Sequence, residues 1–210
     1  MTDMHTWALG TNAGTNGSAG LTSRDAGAAI YYPSALSTDL DGNDVAVPAS
    51  HAVLRGIAYN DQVAYPWFAP AGVRRGLIDN LNAIGYVNYT TGQFVRTGIT
   101  QSQRDTLYSK RVNPISLIPG AVITVYGNKT RSSVAQSTDR VNVSRLVNYI
   151  RTILDSIGYS FEFEPNDKQT RDQIKNVIES AMNDLVAKRG IYDYLVVCDS
   201  SNNTPDRIAR

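Results

Sequence analysis

An α+β fold is what this sequence predicts: a mixed β-sheet covered by two long amphipathic helices, with a smaller β-rich portion ahead of it. Three observations carry that expectation. Val143, Leu146, Val147, Ile150, Ile153, Leu154 and Ile157 recur at three- and four-residue spacing, which makes one apolar face of a helix. Ile174, Val177, Ile178, Ala181, Met182, Leu185 and Val186 repeat the pattern in a second helix. Leu195-Val196-Val197-Cys198 is a short unbroken apolar run of the kind shown by a strand buried on both faces. Tyr159-Ser160-Phe161-Glu162-Phe163-Glu164 alternates between the two helices and reads as a half-buried strand.

The punctuation of Asp139–Asp199 agrees with its periodicity. Gly158 and Gly190 each follow a last apolar position, where a left-handed residue ends a helix. Lys188 and Arg189 face the negative end of the helix dipole. Asn166 with Gln169 reads as a cap and its partner before the second helix.

At 210 residues the chain is long enough for one large domain or two small ones, and 42% apolar with 19% charged residues suits a globular protein. A net charge of +1 argues against general attraction to nucleic acid or to an anionic membrane. No apolar run approaches a membrane span, and the N-terminus lacks the basic-then-apolar signal pattern. The single cysteine, Cys198, sits in an apolar run and reads as a structural thiol rather than a nucleophile.

Taken in order, Gly10–Gly20 is a small polar tract without the glycine spacing of a dinucleotide loop, so residues 1–24 read as a flexible segment. Ala28–Tyr32 reads as a strand closed by Pro33. Asp39–Asp44 brings three carboxylates together, but its glycine is misplaced for a calcium loop and the terminal glutamate is missing. An Asp41-Gly42 turn before strand Val45–Val47 is the better account. Pro48-Ala49-Ser50 opens a short helix through Val53, Leu54 and Ile57, capped near Ser50.

Tyr65-Pro66-Trp67-Phe68-Ala69-Pro70-Ala71-Gly72 crowds aromatic rings between prolines, which forces an extended path anchored by Trp67 and Phe68. Two readings stand: a loop plugging its own core, or a contact to a neighbouring subunit. Gly85–Tyr89 and Phe94–Arg96 pair as a hairpin across Thr90-Thr91-Gly92. Thr100 with Gln103 forms a capping box for a helix from Gln101 to Arg111, which Asn113-Pro114-Ile115 ends. Ala121–Tyr126 is a strand. Gly127-Asn128-Lys129-Thr130 misses the phosphate-loop pattern, because Asn128 separates glycine from lysine. His5 and His51 have no companions at ligand spacing, and no Gly-x-Ser-x-Gly elbow exists, so no catalytic, cofactor-binding or metal residue is assigned and no cofactor is expected.

Several of these stretches, in order, resemble the contractile tail sheath proteins of tailed bacteriophages. They are Tyr31-Tyr32-Pro33, Pro48-Ala49-Ser50 with Ala58-Tyr59-Asn60-Asp61, Tyr65–Gly72, Asn113-Pro114-Ile115, Tyr126–Thr130, Asp139–Val143 with Arg145, and Cys198-Asp199 with Asn203-Thr204. The resemblance implies a structural, non-enzymatic subunit that stacks as six-membered rings around a tail tube, then contracts to drive the tube through the host envelope. The sheath of a phage-like injection or secretion machine is the near alternative; a small α/β enzyme or a monomeric binding module is the distant one. Implied partners are neighbouring sheath subunits, the tail tube protein, and baseplate and tail terminator proteins, in a virion tail assembled in the bacterial host cytoplasm. Neither nucleic acid nor membrane insertion is implied.

On that resemblance, residues 25–62 belong to a β-rich domain completed by other sequence, and 63–210 form the sheath C-terminal core. Thr204-Pro205-Asp206 starts a helix barely a turn before the chain stops, so the core is expected to be truncated at that end. Trp67, Phe68, Leu195, Val196 and Val197 are the candidate subunit-interface residues.

Overall fold

The computed structural model describes residues 27–88, 90–120, 122–132, 134–204 and 207. The Gly10–Gly20 tract and the helix start at Pro205-Asp206 lie outside the described residues. The elements in order are β1 (Ile30–Tyr32), β2 (Ser34–Thr38), β3 (Asp44–Val47), α1 (Ala49–Val63), β4 (Leu81–Val87), β5 (Phe94–Arg96), α2 (Gln101–Ser109), β6 (Val112–Leu117), β7 (Ile123–Val125), α3 (Val141–Tyr159) and α4 (Lys168–Ala187). The class is α+β, as the sequence predicts. The chain forms two compact units, one ending at Arg145 and the other beginning at Leu146.

Two sheets frame the first unit. One has the order β1-β6-β7, with β1 parallel and β7 antiparallel to β6. The other has the order β3-β2-β4-β5 and is antiparallel throughout. The free side of β7 is closed by backbone bonds from Gly72 N to Val125 O, Val125 N to Gly76 O and Ile78 N to Ile123 O. Ala52, Val53, Gly56 and Asn60 form the buried face of α1. Ala52 and Val53 join Ala35, Ile78, Ile84, Ile115, Ile123 and Val125 in the core. Leu107 of α2 packs separately with Val112, Ile30, Tyr32 and Ile99.

Local signals set several of these elements. The Asp39 carboxylate accepts from the backbone N–H groups of Asp41 (3.0 Å) and Asn43 (2.8 Å), fixing the predicted turn before β3. The β4–β5 hairpin is the predicted one. At Gly85 a Cβ would lie 2.1 Å from Val95 O, so only glycine permits that approach. The capping box is present: Gln103 N donates to Thr100 Oγ1 (3.4 Å) and Thr100 N to Gln103 Oε1 (2.9 Å).

Asn113-Pro114-Ile115 does not terminate a helix. It lies inside β6, the middle strand of its sheet, with all three residues buried. α2 ends earlier, at Ser109, and Arg111 takes a left-handed φ of 60° to turn the chain into the strand. Pro114 has no N–H for the ladder, and the Asn113 carboxamide supplies hydrogen bonds beside it. Its Nδ2 donates to Ile30 O (3.1 Å) and Lys129 O (2.7 Å), and its Oδ1 accepts from Lys129 N (2.7 Å). A Cβ at Gly127 would collide with Asn113 Oδ1 at 2.7 Å. α1 is longer than expected, and Pro48 rather than Ser50 is its N-cap, with no side-chain bond. The Pro48 carbonyl instead accepts from His51 N and Ala52 N.

In the second unit both helices stand where the periodicity puts them, but the strands expected beside them are absent among the described residues. α3 runs through Gly158 to Tyr159, and residues 160–163 are turn. Phe163 has φ 71° and is 100% exposed, which is incompatible with a half-buried strand. Residues 193–198 have no regular secondary structure and no ladder partner among the described residues, and Leu195 is 86% exposed. An apolar run alone does not make a buried strand; a partner edge must exist. The α4 cap is Asp167, whose Oδ1 accepts from Thr170 N (2.8 Å), while Asn166 instead accepts from Arg171. At its other end Gly190 N donates to Leu185 O (2.7 Å) and Arg189 N to Val186 O (3.0 Å). That is a Schellman end, and the left-handed residue is Arg189 (φ 62°) rather than Gly190.

Asn113→Ala leaves one N–H and two carbonyls buried without partners, at about 1–3 kcal/mol each. The expected loss in urea denaturation is about 3 kcal/mol or more. The exposed Asn82→Ala is the control, and an equal loss there contradicts the assignment.

Candidate subunit interface

The aromatic segment is tied down from both sides within the first unit. Trp67 is 6% exposed, and its ring stacks on Tyr65 at 4.8 Å with planes 12° apart. Phe68 is half-buried beneath the Arg75 guanidinium, 5.0 Å from the ring centroid. The path is a turn rather than the expected extended run, with Phe68 N donating to Tyr65 O at 3.0 Å. Trp67 is therefore buried, and Tyr65 is the ring of this segment left exposed.

Three polar side chains hold the segment's carbonyls. Asn142, in the first turn of α3, donates to Trp67 O (3.1 Å), and its Oδ1 accepts from Asn128 Nδ2 (2.7 Å). Arg145 donates to Pro66 O (3.0 Å) and forms an ion pair with Asp61. Asn60, fully buried in α1, donates to Tyr65 O and Phe68 O, each at 3.4 Å. The role of Asn60 is not among the sequence expectations, although its position signals it. It falls on the same helical face as Ala52, Val53 and Gly56, where an asparagine must serve backbone. Burial pushes the Tyr31 phenol up to about 12, against the opposing pull of Arg145.

The remaining candidates lie in the second unit. Leu195 and Val197 are exposed and Val196 half-buried. Tyr192 is fully exposed beside them, and Val177 and Val186 of α4 are also exposed. The run is held at its flanks. Tyr194 Oη lies 2.8 Å from Asn183 Oδ1 and donates to Glu179 O (3.2 Å), and Asn202 Nδ2 donates to Val197 O (2.7 Å). Hydrogen bonds from Ser201 hold the Asp199 carboxyl below its ordinary range, and the bond from Thr170 does the same for Asp167.

Among the described residues no group of three or more His, Cys, Asp or Glu side chains could hold a metal ion. No described helix is long and apolar enough to cross a membrane.

Comparison with known proteins agrees with this geometry. Residues 133–210 match the phage tail sheath C-terminal domain family. The tail sheath protein of Enterobacteria phage T4 is 36% identical over 164 residues, 78% of this chain and 23% of that protein. The tail sheath protein of Vibrio phage KVP40 is 33% identical over 164 residues, again 78% and 23%. The chain thus spans about a quarter of the curated relatives it matches. Among solved structures, the contracted sheath complex of an extracellular contractile injection system, PVC, superposes with a TM-score of 0.67. It shares 22% identity and covers 84% of this chain and 45% of that one.

Trp67→Ala is expected to destabilise the first unit by about 3–5 kcal/mol in chemical denaturation. Tyr65→Ala, at the exposed side of the stack, is expected to cost much less. Equal losses contradict the placement of Trp67 in the core.

Proposed function

We propose that this chain, whose residues 133–210 match the phage tail sheath C-terminal domain family, belongs to a structural subunit of a contractile tail sheath. In this reading subunits stack as six-membered rings around the tail tube. Contraction shortens the stack and drives the tube through the host envelope. The partners are neighbouring sheath subunits, the tube protein, and the baseplate and terminator proteins at the two ends, and the location is the virion tail. The chain performs no covalent chemistry; its work is the difference in contact energy between two packings of the same subunits.

The observation that carries the reading is the uncovered apolar surface of the second unit. Tyr192, Leu195 and Val197 are exposed in or beside a run with no ladder partner among the described residues, and Val177 and Val186 are exposed on α4. A free-standing protein gains nothing from such a surface, whereas a lattice subunit covers it with its neighbour. A neighbour's strand added along Tyr194–Cys198 supplies the missing hydrogen bonds and covers Leu195 and Val197. In this reading Leu195, Val196 and Val197 lie at a subunit boundary. Trp67 and Phe68 support it from within, by holding Tyr65 at the surface. The phage relatives at 33–36% identity favour a virion tail over an injection machine, whose 22% likeness shows the fold alone.

Immunogold labelling with antibodies raised against this chain, applied to particles from cells that carry its gene, tests the proposal. Label is expected along the whole tail shaft, in extended and contracted particles alike. Label confined to the head or the tail tip, or absent from tailed particles, contradicts it.

A further inference from the structure

The first unit carries a second surface, built from charge. Lys110, Arg111, Lys129, Arg131 and Arg140 gather where the end of α2 meets the loop that follows β7. Lys129 Nζ lies 4.0 Å from the centroid of the Tyr108 ring and donates to Tyr108 O at 3.3 Å. Arg140 donates to the Tyr108 hydroxyl at 2.6 Å, and Arg131 to Lys110 O at 3.0 Å. The carboxylate among them is Asp139, shared by Arg140 Nε (3.1 Å) and Arg111 (3.7 Å). Burial, and then the charges of Arg140 and Arg111, hold the Lys129 ammonium below its ordinary range. Beside this cluster the Arg104 guanidinium lies 5.3 Å from the centroid of the exposed Tyr126 ring. Ring faces interleaved with cations suit an acidic segment that also brings an aromatic side chain.

The chain's net charge is only +1, so the excess of cations here is balanced by acid elsewhere on the same molecule. The turn between α3 and α4 has the matching chemistry. Phe163 is fully exposed and held at φ 71°, between Glu162 and Glu164. Neither glutamate has a side-chain hydrogen bond or ion pair among the described residues. In the other acidic turn, by contrast, Asp39 binds its own backbone and Asp44 accepts from Asn82 at 2.7 Å. Resting on the sheath reading, we propose that the basic face of one copy receives the Glu162-Phe163-Glu164 turn of a second copy. The two surfaces are different, so the contact is head-to-tail, and repetition generates a ring or a helix rather than a closed pair.

Charge reversal and complementation on the purified chain test the contact. One variant carries Lys110→Glu with Arg140→Glu, the other Glu162→Lys with Glu164→Lys; all four side chains are exposed, and circular dichroism checks that both variants fold. In sedimentation velocity at low salt, the parent chain is expected to self-associate, and raised salt to dissociate it. Each variant alone is expected to associate about tenfold more weakly, and an equimolar mixture of the two to recover the loss. Phe163→Ala is expected to weaken association without changing its salt dependence. A mixture no tighter than either variant alone, or association untouched by both reversals, overturns the contact. Shaft labelling that persists beside such a result leaves the sheath reading standing, and complementation without shaft labelling overturns the sheath reading alone.

Discussion

Two separate stretches of backbone meet on the side chain of Asn113. Its carboxamide binds Ile30 O in β1 and both the N–H and the carbonyl of Lys129, in the loop after β7. A middle strand that contains Pro114 lacks one donor, and the neighbouring asparagine makes good the bonding that a regular ladder would provide. The arrangement is costly to disturb because the group is fully buried, where an unpaired amide has no water to turn to. It also leaves no room for a side chain at position 127.

From that point order passes outward through hydrogen bonds. Asn113 fixes the loop at Lys129, and the adjacent Asn128 binds Asn142 in the first turn of α3. Asn142 then holds Trp67 O, while Arg145 one turn on holds Pro66 O and Asp61. The ion pair is partly exposed and contributes little by itself. What matters is that a long helix begins against a fixed aromatic segment. Past Arg145 the chain enters the second unit, whose apolar residues are half-covered at best apart from Leu146, Met182 and Leu185.

Features decided by residues close together along the chain are legible in the sequence itself. The capping box at Thr100, the turn at Asp41-Gly42, the hairpin across Gly92 and the periods of α3 and α4 are all of this kind. Features that depend on distant partners are not legible in that way. Asn113-Pro114-Ile115 looks like a helix stop because proline usually is one, and nothing nearby reveals that β1 and β7 flank it. Glu162-Phe163-Glu164 and Leu195–Cys198 look like strands because they alternate or are apolar, yet neither pairs with an edge among the described residues. Apolar side chains that look destined for a core, such as Leu195 and Val197, are exposed. Trp67 is legible as an anchor, but whether it faces its own core or a neighbour depends on α1 and on Asn142, far away in sequence.

The central claim is that the run Tyr194–Cys198 is covered by another subunit. Hydrogen–deuterium exchange on the free chain and on assembled sheath from particles measures this directly. The account predicts that these backbone amides exchange rapidly in the free chain and are strongly protected in the sheath, while β6 and β7 are protected in both. Amides of Tyr194–Cys198 that exchange equally fast in the sheath and in the free chain would contradict it.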